Sequence, residues 1–145
     1  MRNDVFDLQR FVSAQEATYC AALQELKSGR KRSHWMWFIF PQLRGLGSSS
    51  LAQAYAIASS DEARAYWQHR LLGSRLSECT QAVLDLHDSS AEAIFAYPDH
   101  LKFRSCMTLF ANSVPEPSLF TAALKKYFDG EPDAVTLRLL DEQSR

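Results

Sequence analysis

Apolar residues recur every three to four positions along most of the chain, and this spacing predicts helices almost throughout. Residues 14–28, AQEATYCAALQELKS, set Tyr19, Leu23 and Leu26 on one stripe, with Gly29 suited to a left-handed stop. LAQAYAIA, 51–58, carries Leu51, Tyr55 and Ala58 at helical spacing. Ser60 is placed to cap the next helix, with Asp61 and Glu62 favourably set against the helix dipole; that helix runs to about Leu71-Leu72-Gly73. From Ser74, the residues Leu76, Cys79, Val83 and Leu86 repeat the pattern. Ser89-Ser90 precede a short AEAIFA turn, and Pro98 opens DHLKFRSCMTLFA. Pro117 opens SLFTAALKKYF, which Asp129-Gly130 close, and Asp133 is placed to cap AVTLRLLDEQ.

One segment breaks the pattern. HWMWFIF, 34–40, is apolar all round, so it is expected to be buried on most sides. As a strand it would split into His34, Met36, Phe38 and Phe40 against Trp35, Trp37 and Ile39. A short helix capped by Ser33 and ended at Phe40 is preferred, because a residue before proline avoids the helical region. The expectation is an all-α, single compact domain, residues 1–145, of seven or eight short helices.

Composition narrows the class of protein without choosing a reaction. The chain has 145 residues, enough to bury about two-thirds of its unfolded surface. Sixteen basic and seventeen acidic residues leave a net charge of -1, so the overall field announces neither a nucleic-acid nor a membrane partner. Three scattered cysteines, Cys20, Cys79 and Cys106, form no disulfide framework or zinc spacing. The start lacks a secretory pattern and no run approaches a membrane span, so the protein is expected in the cytoplasm. No phosphate loop, dinucleotide fingerprint, metalloprotease helix or nucleophile elbow is present; no metal site and no cofactor are expected.

Chemistry-bearing residues gather in two stretches. In the first, the basic run Lys27, Arg30, Lys31 and Arg32 leads into His34, Trp35 and Trp37, then Gln42, Gly45 and Gly47. An aromatic floor, an amide and a glycine-containing loop are the parts of a small-molecule site. The bland alternative is a solvated helix end beside an aromatic core. The second, YPDHLKFRSCMTLF, places Leu101, Ser105 and Thr108 on one helix face, with Asp99, Lys102 and Arg104 nearby. It reads equally as a surface helix with a weak Asp-Lys pair. Cys106, beside Lys102 and Arg104, is a candidate nucleophile, although a cysteine on an apolar helix is usually packing. Arg75, after Gly73-Ser74, is a further candidate anion contact.

The blocks SHWMWFIFPQLRGLG, LLGSRL and KFRSCMTLFA closely resemble a bacterial family known as domain of unknown function 1810, over nearly the whole chain. The resemblance implies a single-domain, mainly α-helical protein and carries no reaction with it. Its marker residues here are His34, Trp35, Trp37, Phe40, Pro41, Gln42, Gly45, Gly47, Arg75, Lys102, Arg104 and Ser105. A fainter likeness, on Ala54, Ile57, Glu62 and Ala63, is to NADAR domains, and implies ligands of the NAD or ADP-ribose type.

Together these features favour a pocket for a phosphorylated or nucleotide-like anionic small molecule. Trp35 or Trp37 would stack a base, while Lys31, Arg75, Lys102 or Arg104 would neutralise phosphate. Gln42 and Ser105 would supply hydrogen bonds, and His34 and Asp99 are the candidate catalytic groups. With an ADP-ribose adduct, Asp99 or Glu62 would stabilise a cationic sugar during glycosidic-bond cleavage. The shared site requires residues 31–42 and 99–108 to lie together. The alternatives are a non-enzymatic module binding protein or nucleic acid, the latter disfavoured by the balanced charge, and an aromatic block that serves only the core.

Overall fold

A computed structural model describes residues 4–144. Ten helices are found among them, rather than seven or eight: α1 (Gln9–Glu16), α2 (Tyr19–Lys27), α3 (Met36–Ile39), α4 (Ser50–Ala54), α5 (Ser60–Gln68), α6 (Arg70–Leu84), α7 (Ala91–Phe95), α8 (Asp99–Ala111), α9 (Ser118–Phe128) and α10 (Ala134–Gln143). No strand occurs among the described residues; a single parallel bridge joins Leu43 to Ile57. No helix among them is long and apolar enough to cross a membrane.

One helix of the excess comes from a segment that divides in two, and several helices are shorter than their apolar pattern. The 14–28 segment belongs to two helices, because the chain breaks at Ala17–Thr18 between α1 and α2, and the stripe of Tyr19, Leu23 and Leu26 lies wholly in α2. The 51–58 segment is helical only to Ala54. Beyond it the backbone extends, with the Ile57 N–H donating to the Gln42 carbonyl at 2.8 Å and the Arg44 N–H to the Ile57 carbonyl at 2.7 Å. The aromatic block does form a short helix ending at Phe40. Trp35 precedes that helix without a side-chain cap, and the expected cap, Ser33, instead donates its hydroxyl to Glu25.

The α5–α6 boundary falls at His69, not near Gly73. His69 is extended (ψ 126°), and its Nδ1 accepts the N–H groups of Leu71 and Leu72, each at 3.2 Å, starting α6 in place of a serine or aspartate. Gly73 sits inside α6 for want of space: a Cβ there would lie 2.0 Å from the carbonyl oxygen of Trp67. By contrast Gly29 and Gly130 have positive φ, and each follows a helix end as the sequence predicts.

One buried cluster joins the helices. Phe11, Trp35, Phe40, Tyr66, Phe103, Phe110 and Phe120 are fully buried within it. Phe95 stacks on Phe103 at 4.6 Å between centroids, and Phe40 meets Phe103 edge-on at 5.0 Å. These rings tie the aromatic block to α7 and α8 and so bring the two chemistry-bearing stretches together.

Candidate functional site

Three polar side chains set the geometry. Asp99 opens α8 and pairs with Lys31 at 2.9 Å and with Lys102, one turn on, at 3.4 Å. Each lysine lies over an indole: the Lys31 ammonium is 5.1 Å from the Trp35 centroid and that of Lys102 is 5.5 Å from Trp37. The two stretches therefore meet directly, as the shared site requires.

Beside this cluster runs an open cleft of about 400 Å³. One wall is Gln42 with the Leu46–Ser49 segment and Ala52 of α4; the other is Pro98, Leu101, Lys102 and Ser105 of α8, with Asp133 and Val135 at one end. A narrow cavity of about 30 Å³, room for a water molecule, adjoins it through Gln42, Gly47 and Ala52 and is lined by Trp37.

The walls have local causes. The Leu43–Ile57 bridge clamps the backbone on both sides of Leu43, through the Gln42 carbonyl and the Arg44 N–H. Gly47 admits α4, since a Cβ on it would lie 2.6 Å from that of Ala52. Ser49 caps α4 by accepting the Ala52 N–H, and Asp133 caps α10 through Oδ2, which accepts from the N–H and hydroxyl of Thr136. Ser105, a turn beyond Lys102, donates its hydroxyl to the Leu101 carbonyl. The side-chain amide of Gln42 has no hydrogen-bond partner among the described residues.

The other predicted residues lie elsewhere. Trp35 is 1% exposed and donates its indole N–H to Glu25 at 2.9 Å, so no face is free to stack a base. Glu25 also accepts from the Arg32 N–H, the Ser33 N–H and the Ser33 hydroxyl. Burial raises the Glu25 carboxyl, but these bonds outweigh it and bring it down to about 2. His34 is exposed and outside the cleft wall. Arg75 on α6 donates to Gln15 at 3.2 Å and stacks over Tyr19 at 4.6 Å, while buried Gln15 donates to Phe38 and Tyr66. Arg104 donates to the carbonyls of Glu131 and Pro132, holding the loop between α9 and α10.

Cys106 is wholly buried, and that burial pushes its thiol well above the ordinary range, the reverse of what a nucleophile needs. Glu62 is also buried: it pairs with Arg10 at 2.9 Å and accepts the Ala58 N–H at 2.8 Å. Its work is to hold the 56–60 turn.

Ser48, Ser49 and Asp133 are cleft residues that the sequence pattern passes over. The serines read as an ordinary loop or cap, and Asp133 as a cap. For the serines the only signal is their proximity in sequence to Gly45 and Gly47; Asp133, far along the chain, carries none.

The chain is a member of the family described as "Protein of unknown function (DUF1810)", matched over residues 5–140. It is similar to the solved crystal structure of the conserved hypothetical protein Rv1873 from Mycobacterium tuberculosis, with 54% identity and a TM-score of 0.94, over 95% of this chain and 99% of that one. No curated protein matches the chain. The NADAR likeness finds no support in these comparisons.

Proposed function

We propose that the cleft between Gln42–Ser49 and α8 binds a small phosphorylated or nucleotide-like molecule, and that Gln42, Lys102 and Ser105 contact it. The observation carrying this reading is the convergence of these three sequence-nominated residues on one cleft of about 400 Å³, within the usual range of about 300–1,000 Å³ for small-molecule sites. The Gln42 amide, half-buried and without a protein partner among the described residues, offers two donors and an acceptor to a ligand.

Binding is favoured over glycosidic-bond cleavage. Asp99 lies between two lysines, which offset the charge that would stabilise a cationic sugar. Its role in this reading is to hold the Lys102 ammonium over Trp37, and His34 stays in solvent. A second reading, docking of a protein partner, draws on Leu101 and Val135, exposed on the cleft walls, and on Tyr97, 77% exposed next to Pro98.

Thermal unfolding against nucleotides, NAD, ADP-ribose and sugar phosphates tests the first reading. A ligand at about 100 times its Kd adds about 2.7 kcal/mol. A stabilisation present in the wild type and lost in Lys102→Ala supports the cleft. Unchanged melting with every compound removes it and leaves partner docking as the better reading.

A further inference from the structure

Resting on the cleft reading, we infer that the site is built for a hydroxyl-bearing molecule with one phosphoryl group, of the sugar-monophosphate class, and discriminates against nucleoside di- and polyphosphates. Both the charges and the hydrogen-bonding capacity of the cleft wall lead there. Of the four candidate cations, only Lys102 is on the cleft wall, and it shares Asp99 with Lys31, at 3.4 Å against 2.9 Å. Lys31 is consumed by Asp99 and the Ser33 carbonyl, Arg75 by Gln15 and Tyr19, and Arg104 by the carbonyls after α9. The one other charged wall residue is Asp133, so a second phosphoryl group meets no second cation and gains a carboxylate neighbour.

Hydrogen-bonding capacity points the same way. Lys102, the Gln42 amide and the hydroxyl hydrogens of Ser48 and Ser49 are donors suited to phosphoryl oxygens. Ser49 spends only oxygen lone-pair capacity on its cap, so its hydrogen stays free. Ser105 spends its hydrogen on Leu101 and keeps lone pairs. Asp133 uses Oδ2 for its cap, and Oδ1 has no partner among the described residues. Ser105 and Asp133 are therefore acceptors, which a sugar's hydroxyl groups satisfy. A nucleobase finds no open stacking platform in this wall: Trp35 is buried and Lys102 lies over Trp37.

Calorimetric titration of the full chain with ribose 5-phosphate, ribose, ADP and ADP-ribose tests this. Ribose 5-phosphate is expected to bind at least about tenfold more tightly than ribose, ADP or ADP-ribose, the weight of one hydrogen bond to a charged group. Gln42→Glu, which keeps the side-chain shape and adds a like charge, is expected to abolish the preference for the phosphorylated sugar while circular dichroism stays that of the wild type. ADP or ADP-ribose binding as tightly as ribose 5-phosphate, with Lys102→Ala weakening it, overturns the inference and leaves the cleft reading standing. Absence of binding by all four compounds overturns the inference, while the wider panel above decides the cleft reading separately.

Discussion

Replacing Gly73 by alanine isolates a steric demand from a conformational one. Gly73 lies inside α6, and its φ is outside the positive region where glycine is favoured. On helix propensity alone, alanine would be better by about 1 kcal/mol. The neighbour decides otherwise. The new Cβ would lie 2.0 Å from the Trp67 carbonyl oxygen and 2.9 Å from its carbon, where ordinary contact begins at 3.4 Å, so the backbones must part by about 1.4 Å. No rotamer can relieve a clash with main chain. Overpacking typically costs about 1–3 kcal/mol and the upper end applies, leaving a net loss of about 2 kcal/mol after the propensity gain. With an unfolding entropy of about 2.1 cal/mol/K per residue, the melting temperature falls by about 7 °C. Calorimetric melting beside Gly130→Ala is the assay. Gly130 has φ +80° with nothing within 4 Å of its Cβ, so alanine there pays only backbone strain, about 1 kcal/mol. Gly73→Ala melting at or above the wild-type temperature would refute the close α5–α6 approach.

Other perturbations separate neighbouring causes. Ala96 (φ 63°, ψ 165°) occupies a region essentially reserved for glycine, so Ala96→Gly is expected to raise stability by about 1 kcal/mol in denaturant titration, reversing the usual sign. His69→Ala is expected to cost about 1 kcal/mol by uncapping α6, and His69→Asn to recover most of it; equal losses would show that the Nδ1 bonds are not the cause. Because the folded-state Glu25 carboxyl is held below its ordinary 4.5 at about 2, its contribution is full above about pH 4.5 and lost as pH falls toward 2. Allowing for solvent screening, the stability advantage over Glu25→Gln is expected to be about 1–2 kcal/mol at pH 6 and to vanish near pH 2 in urea titrations.

The helical class was legible because apolar spacing and several helix ends follow local rules: Ser90 and Asp133 accept N–H groups where a cap was expected, and Asp129-Gly130 close α9 with positive φ. Ser59 rather than Ser60 caps α5, a shift of one residue between chemically identical neighbours. The misplaced α5–α6 boundary has a different origin. Histidine is an uncommon cap, and a glycine near a helix end looks like a stop unless the carbonyl it must clear is known. The break between α1 and α2 falls just before the stripe of Tyr19, Leu23 and Leu26, where no proline or glycine marks it.

Within the site, the two blocks were legible as polar-aromatic stretches, and the Asp99 bridge to both lysines joins them. Which cations remain free was not legible. Arg75 and Arg104 are spent on partners 60 and 27 residues away in sequence, contacts that no local pattern encodes.

Mapping amide chemical-shift changes on a two-dimensional ¹⁵N spectrum, as ribose 5-phosphate is added, tests the central claim most directly. Changes confined to 42–49, 98–105 and 133–135, and absent in Gln42→Glu, are the predicted result. Changes centred on Arg75 and Tyr19, or on Arg104 and Phe128, would contradict the account by placing the ligand where the cations are already engaged.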